Sequence, residues 1–290
     1  MKRKRIIWLV VAVVVLSVAV GFVIWGNKAI EITEFQIQGG DIPQGFDGFR
    51  IAHLSDLHNA EFGKDNAKLL KLLEQAEPDI IVITGDIIDS RRTDISVALE
   101  LAPKLVDIAP TYYVTGNHEA RLDSQEYARL TDGLGAAGVT VLENRAVTVE
   151  KGNESIALVG VEDPQLDAGW SADEDKEERF LRMREKLNCL SDEYGDSYSV
   201  LLSHRPDMLD VYAESGVDLV FSGHLHGGQF RIPFLGGLYA PSQGFLPEYD
   251  AGHYTKDGTK MIVSRGLGNS AFPFRLNNRP EIVVIELNTK

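Results

Sequence analysis

The apolar positions of this chain follow three different rhythms. The first is unbroken: residues 6–25 contain no charge, a stretch of about twenty residues that is long enough to span a bilayer. The second is short and dense. Phe49–Leu54 and residues 79–84, 111–115, 198–202 and 219–221 read as strands, and the run Ile80-Ile81-Val82-Ile83 marks one buried on both faces. Residues 31–38 read as an edge strand, 139–142, 146–150 and 156–161 as further short strands, and 260–264 with 282–286 as a final strand pair. The third rhythm is helical. Leu69, Leu70, Leu72 and Leu73 predict an amphipathic helix capped by Asp65 and ended by Pro78. Helices are expected over 94–108 and 125–137, and a charged surface helix over 172–190 packed by Phe180, Leu181, Met183 and Leu187. Strands that alternate with helices predict a layered α/β fold.

The N-terminal run has a direction. Lys2, Arg3, Lys4 and Arg5 precede it, and Trp8 and Trp25 stand near its two ends, where amphipathic rings prefer the interface. Basic residues stay cytoplasmic, so the expectation is a single-pass cell-membrane protein with an extracytoplasmic catalytic domain. Ser17-Val18-Ala19 resembles a cleavage site, but Val20 to Trp25 continue apolar beyond it, which favours an uncleaved anchor. The expected organisation is residues 1–26 as basic tip and anchor, 27–48 as connector and edge strand, and 49–290 as the functional domain.

Composition narrows the partners. With 44% apolar residues in 290, the chain can bury a substantial core. Lys and Arg total 29 against 43 Asp and Glu, a net charge of −14 that repels polyphosphate and argues against a nucleic-acid duplex. The single cysteine, Cys189, excludes an intramolecular disulfide and a thiolate-rich metal site.

Candidate chemistry lies where the strands end. Asp56-Leu57-His58, Gly85-Asp86, Gly116-Asn117-His118-Glu119, Ser203-His204 and Gly223-His224-Leu225-His226 hold five of the seven histidines beside Asp or Asn, a ligand set for borderline divalent metals. Alternate residues of an extended segment project to one side, so Asp56 and His58 can bind one metal together, and two imidazoles at positions 224 and 226 after a buried strand are rare without a metal. Each motif alone has an ordinary reading: Asp86 as a turn residue, His204 as a hydrogen-bonded half-buried histidine. Together, spread over so much chain, they must converge through the fold. His53 and His253 read as structural.

In this order the motifs resemble the calcineurin-like metallophosphoesterase superfamily, whose pattern is D-x-H, G-D, G-N-H-[DE], H and G-H-x-H, over residues 49–286. With the N-terminal anchor, the segments 222–229, 203–207 and 264–268 are similar to its bacterial membrane-associated phosphodiesterase branch. The resemblance implies a four-layer αββα sandwich of two mixed sheets after one transmembrane helix, and a dinuclear centre of Mn, Fe, Zn or Co, with Mn favoured. It implies that Asp56, His58 and His226 hold one metal, that Asn117, His204 and His224 hold the other, and that Asp86 bridges them. His118 would be the general acid for attack by metal-activated hydroxide on a phosphodiester or pyrophosphate, with Glu119 orienting its ring. Asp89 and Asp163 are candidate supporting acceptors.

Two further readings bear on the substrate. Phe230, Ile232, Phe234, Leu235, Leu238, Tyr239, Phe245, Leu246 and Tyr249 form an apolar stretch after the last motif. Packing over the second sheet is the favoured expectation, with an apolar wall at the bilayer as its rival. That wall would suit a lipid-linked substrate and a pyrophosphohydrolase of the UDP-2,3-diacylglucosamine type. Arg231, Arg265 and Arg275 are candidate phosphate contacts. A non-catalytic scaffold is the alternative of another class, disfavoured because every motif residue is present.

Overall fold

The computed structural model describes residues 2–167, 170–171, 175–240, 243–269 and 272–289. Helix α1 (Lys2–Lys28) precedes β1 (Glu31–Gly39), β2 (Phe49–Leu54), α2 (Ala67–Ala76), β3 (Ile80–Thr84), α3 (Ser96–Val106) and β4 (Thr111–Val114). After these come α4 (Ser124–Ala136), β5 (Thr140–Val141), β6 (Arg145–Lys151), β7 (Glu154–Gly160), α5 (Lys176–Tyr194), β8 (Ser199–Leu202), α6 (Leu209–Glu214) and β9 (Leu219–Ser222). Four two-residue strands follow: β10 (Arg231–Ile232), β11 (Gly236–Gly237), β12 (Tyr239–Ala240) and β13 (Gly244–Phe245). The last three are β14 (Gly252–Lys256), β15 (Thr259–Val263) and β16 (Glu281–Thr289).

Two six-stranded sheets face each other, in the orders β1-β16-β2-β3-β4-β5 and β14-β15-β9-β8-β7-β6. Both are mixed: β2, β3, β4 and β5 run parallel while β16 opposes β2, and β15, β9, β8 and β7 run parallel between the antiparallel edges β14 and β6. Ile51, Val82, Val114, Leu158, Val200, Phe221 and Ile262 fill the space between the sheets. Leu69 and Leu73 of α2, Leu101 and Leu105 of α3, and Leu130 and Leu134 of α4 cover the outer face of the first sheet. Phe180, Met183 and Leu187 of α5 and Val211 and Tyr212 of α6 cover that of the second. Two helical and two sheet layers result, the αββα sandwich that the motifs imply, preceded by one apolar helix whose span 3–28 is unburied.

Several local expectations need correction. Asp65 does not cap α2; Asn66 occupies that position in a left-handed conformation, and its Oδ1 accepts from the Phe62 amide instead. Leu181 is half exposed; the buried stripe of α5 runs Phe180, Met183, Leu187, Leu190 and Tyr194, while residues 172–174 of the expected helix lie outside those described. The segments 260–264 and 282–286 are not a pair. The first lies in β15 between β9 and β14, and the second lies in β16, in the other sheet, between β1 and β2. The apolar stretch after the last motif is packed only in part: Tyr249 joins the outer cluster of the second sheet, and Phe230 and Leu238 are half-buried. Phe234, Leu235, Phe245 and Leu246 are 107%, 67%, 75% and 60% exposed, because two-residue ribbons present too little surface to cover them.

Candidate metal centre

Parallel strands deliver their following loops to the same end of a sheet, and α/β sites form there. The loops after β2, β3, β4, β8 and β9 carry the five motifs, and the two facing sheets bring them together. Glycines permit the crossing. Gly85 has φ +82, and a Cβ on it would stand 2.6 Å from the Gly116 Cα. Asp56 (φ 52), His58 (φ 47), Asp86 (φ 52), His224 (φ 71) and His226 (φ 49) also occupy the left-handed region, which L-residues visit seldom and functional sites retain.

All seven expected ligands converge and all are buried. Nε2 of His58 lies 3.2 Å from Nε2 of His226, 3.9 Å from Asp56 Oδ1 and 3.6 Å from Asp86 Oδ2. His226 Nε2 is 3.4 Å from Asp56 Oδ1. On the other side of Asp86, His204 Nε2 stands 3.3 Å from Asp86 Oδ2 and 3.2 Å from both Asn117 Oδ1 and His224 Nδ1. Asp56, His58 and His226 form one group able to hold an ion, Asp86, His204 and His224 another, and His58, Asp86 and His118 a third.

The donor set fits cations. Burial pushes the His58 imidazole down to about 3; burial, then His58 and Arg275, hold His226 well below the usual range. Burial followed by Arg205 and His204 does the same for His224. These rings bring their nitrogens within 3.2–3.4 Å of each other and of the Asp56 carboxylate, a donor set that suits a divalent ion. Burial lowers His204 too, but Asp86 beside it prevails and raises it to about 10, while His204 and His58 hold Asp86 well below the carboxylate range against burial. His204 Nδ1 bonds the Thr84 carbonyl at 2.6 Å, which fixes the ring with Nε2 inward.

His118 sits beside this set. Its ring centroid is 4.5 Å from that of His58, and its Nε2 is 4.0 Å from Asp86 Oδ2. Its Nδ1 accepts from the Ser90 amide at 3.0 Å, which puts the ring proton on Nε2, facing the site. Asp89 Oδ1 is 3.4 Å from the same Nδ1. Glu119 does not orient this ring. Its carboxylate instead accepts from the amides of Asp86 (2.8 Å), Gly116 (2.7 Å) and Ile88 (3.2 Å), tying the β3 loop to the β4 loop. Burial and then Asp86 raise Glu119 to about 7, opposed by those amides.

Other supporting residues were not legible as such. Thr84 Oγ1 donates to Ser55 Oγ (2.9 Å), which donates to Asp56 Oδ2 (2.6 Å), and His53 Nε2 bonds Thr84 Oγ1 at 2.7 Å. Asp163 holds Arg205 through bonds of 2.7 and 3.1 Å rather than any motif histidine. All three candidate phosphate arginines have partners, and Arg275 also touches the site, its Nη2 3.4 Å from His226 Nδ1. Arg231 pairs with Asp250 at 2.9 Å, Arg265 with Glu281 at 2.6 Å, and Arg275 is buried with bonds to the carbonyls of Arg265 and Gly268. Lys28, Arg91 and Arg92 line a cleft of about 820 Å³ with His58, Asp89, Asn269 and Pro273.

Residues 49–228 match the calcineurin-like phosphoesterase family. The metallophosphoesterase YkuE of Bacillus subtilis is 32% identical over 90% of this chain and 86% of its own. The phosphodiesterase YaeI of Escherichia coli is 30% identical over 82% of each chain. A transmembrane protein with a metallophosphoesterase domain from Danio rerio is 25% identical over 89% of this chain and 57% of its own. Motifs, fold and relatives agree: the chain belongs to the calcineurin-like metallophosphoesterases and is a metal-dependent phosphoester hydrolase.

Proposed function

We propose that the protein is a membrane-anchored phosphodiesterase or pyrophosphohydrolase with a dinuclear centre. Asp56, His58 and His226 would hold one ion, Asn117, His204 and His224 the other, and Asp86 both. The observation that carries this reading is the pair of His/Asp groups on either side of Asp86, with imidazole nitrogens turned inward. Divalent cations held there, Mn being favoured among Mn, Fe, Zn and Co, would supply Lewis acidity and lower the pKa of water. The remaining work falls to the chain. His118 presents Nε2–H to the leaving oxygen; in its charged form Nδ1–H turns from the Ser90 amide to Asp89. Arg91 and Arg92, anchored on Asp89 at 3.1 Å, give the cleft mouth a positive rim for a phosphate.

In the same reading residues 1–26 anchor, 27–48 connect and add the edge strand β1, and 49–290 catalyse, outside the cytoplasm. A lipid-linked substrate of the UDP-2,3-diacylglucosamine type is favoured by one feature: the cleft opens beside Lys28, the last residue of α1. Hydrolysis of bis-nitrophenyl phosphate with added Mn tests the activity. Comparison of micellar with water-soluble diesters tests the lipid preference, and equal rates would remove it.

A further inference from the structure

Helix α1 does not end free of the domain that follows. Asn27 accepts the Arg275 amide at 2.8 Å and donates to the Arg275 carbonyl at 3.1 Å, while Asn269 Nδ2 reaches its Oδ1 at 3.3 Å. The Arg279 guanidinium lies 4.9 Å from the centre of the Trp25 ring and donates to the carbonyls of Ala29 and Ile30 at 2.9 and 3.0 Å. The end of the anchor is therefore clamped to one segment from two sides.

That segment is apolar where it faces water. Phe272, Phe274 and Leu276 are 40%, 41% and 44% exposed. The Phe230 ring lies 5.2 and 5.4 Å from the rings of Phe272 and Phe274, and the Arg231 amide bonds the Leu276 carbonyl. From Phe230 the β10–β11 hairpin grows, and Phe234 and Leu235 at its tip are more exposed than any of these. Soluble surfaces seldom gather so many large apolar side chains unless something covers them. Continuity with the anchor says what covers these. Asn27 is two residues past Trp25, about 3 Å along a helix, so the segment bonded to it lies at the level where α1 leaves the bilayer.

We propose that Phe272, Phe274, Leu276 and the hairpin tip Phe234–Leu235 form a membrane-contact face that lies in the interfacial layer of the bilayer crossed by α1. The proposal rests on the reading of α1 as a membrane span. Aromatic rings suit that layer, and Lys28 and Arg279 flank the face with the positive charge that phospholipid headgroups accept. Pro273, between the two exposed phenylalanines, also lines the cleft of the metal centre, so this docking sets the cleft mouth at headgroup depth.

Spin labels on the full-length protein in phosphatidylcholine vesicles test this. The native Cys189, exposed on α5, takes a nitroxide as the aqueous reference. In a Cys189→Ser background, Phe234→Cys and Phe274→Cys report on the face and Val14→Cys on the anchor. Labels at 234 and 274 should collide several-fold more with oxygen than with a water-soluble nickel chelate, as at 14, and the order should reverse at 189. Either face site behaving like Cys189 while Val14 lies in the bilayer overturns the proposal and leaves the anchor standing. Dipolar broadening between labels at 234 would put a second copy of the chain on the face and overturn it as well. An aqueous label at 14 would sink the anchor reading and this inference with it.

Discussion

Nε2 of His58 and Nε2 of His226 lie 3.2 Å apart although 168 residues separate them, and neither ring carries a charge. Two inward ring nitrogens beside the Asp56 carboxylate make a nitrogen–oxygen donor set that suits a divalent cation. Chelator treatment is therefore expected to abolish phosphodiester hydrolysis and to lower the thermal midpoint. An ion present at a hundred times its dissociation constant stabilises by about 2.7 kcal/mol. His226→Ala should bind less metal per chain, by elemental analysis, and retain under about 1% of activity. Full metal content in that variant would remove His226 from the ligand set.

His118 lies with His58 and Asp86 in a further group able to hold an ion, and the proposed role makes it the proton donor and not a ligand. Its replacement by Ala should leave metal content unchanged and reduce turnover of a diester with an alkyl leaving group by about 10²–10⁴-fold. Nitrophenolate leaves with little help from an acid, so bis-nitrophenyl phosphate should suffer less than the alkyl diester. Equal losses on both substrates would argue against proton donation.

How much of this was legible in the sequence follows from the range of the interactions. The parallel strands that carry the motifs announce themselves as short apolar runs, β-branched throughout in β3, and the motifs stand at their ends because that is where α/β loops converge. β16 gave no sign of its place. It pairs with β1 from Glu31↔Glu281 onward, across almost the whole chain, and no local pattern encodes so distant a register. The role of Glu119 was equally hidden. Adjacency to His118 suggested a bond to that ring, whereas the turn after β4 aims the carboxylate at the amides of the β3 loop. The exposed Phe234 and Phe245 were misjudged because composition counts apolar side chains without showing whether enough backbone surrounds them.

Glu119 yields a prediction of its own. Glu119→Gln keeps the shape but presents an NH₂ group where amides now donate, which leaves at least one buried N–H without an acceptor. The expected cost is about 1–3 kcal/mol in denaturant unfolding. Metal affinity should fall too, since Asp86 is one of the residues so held. Unchanged stability would mean that the three amides find other acceptors.

Gly116 tests how tightly the β3 and β4 loops cross. A Cβ there would overlap the Asp86 carboxylate and stand 2.6 Å from the Asp86 amide nitrogen. Gly116→Ala is expected to displace Asp86 and to weaken metal binding by about 10–100-fold, in the range found when groups supporting ligands are disturbed. Titration of the metal-free protein with Mn measures it. An affinity equal to wild type would show that the loops yield without moving the carboxylate.

His53 carries the acid sensitivity of the core. It is wholly buried, packs edge-on against Phe221 at 5.0 Å and is bonded through Nε2 to Thr84, while its Nδ1 has no partner. Burial pushes its pKa from 6.5 down to about 3. The folded value is depressed, so between pH 6.5 and about 3 the unfolded chain holds a proton that the folded chain refuses. Stability from this residue is complete above pH 6.5 and declines as pH falls towards 3, at a limiting rate of about 1.4 kcal/mol per pH unit. Gln at this position can keep a bond to Thr84 and cannot charge. Urea midpoints of metal-free wild type and His53→Gln at pH 7, 5.5 and 4.5 should therefore fall further for wild type than for the variant as the solution is acidified, whatever offset they show at neutrality. The buried ligand histidines titrate alike in both proteins and cancel in the difference. Parallel declines over the three pH values would show that His53 is not the group that resists the proton.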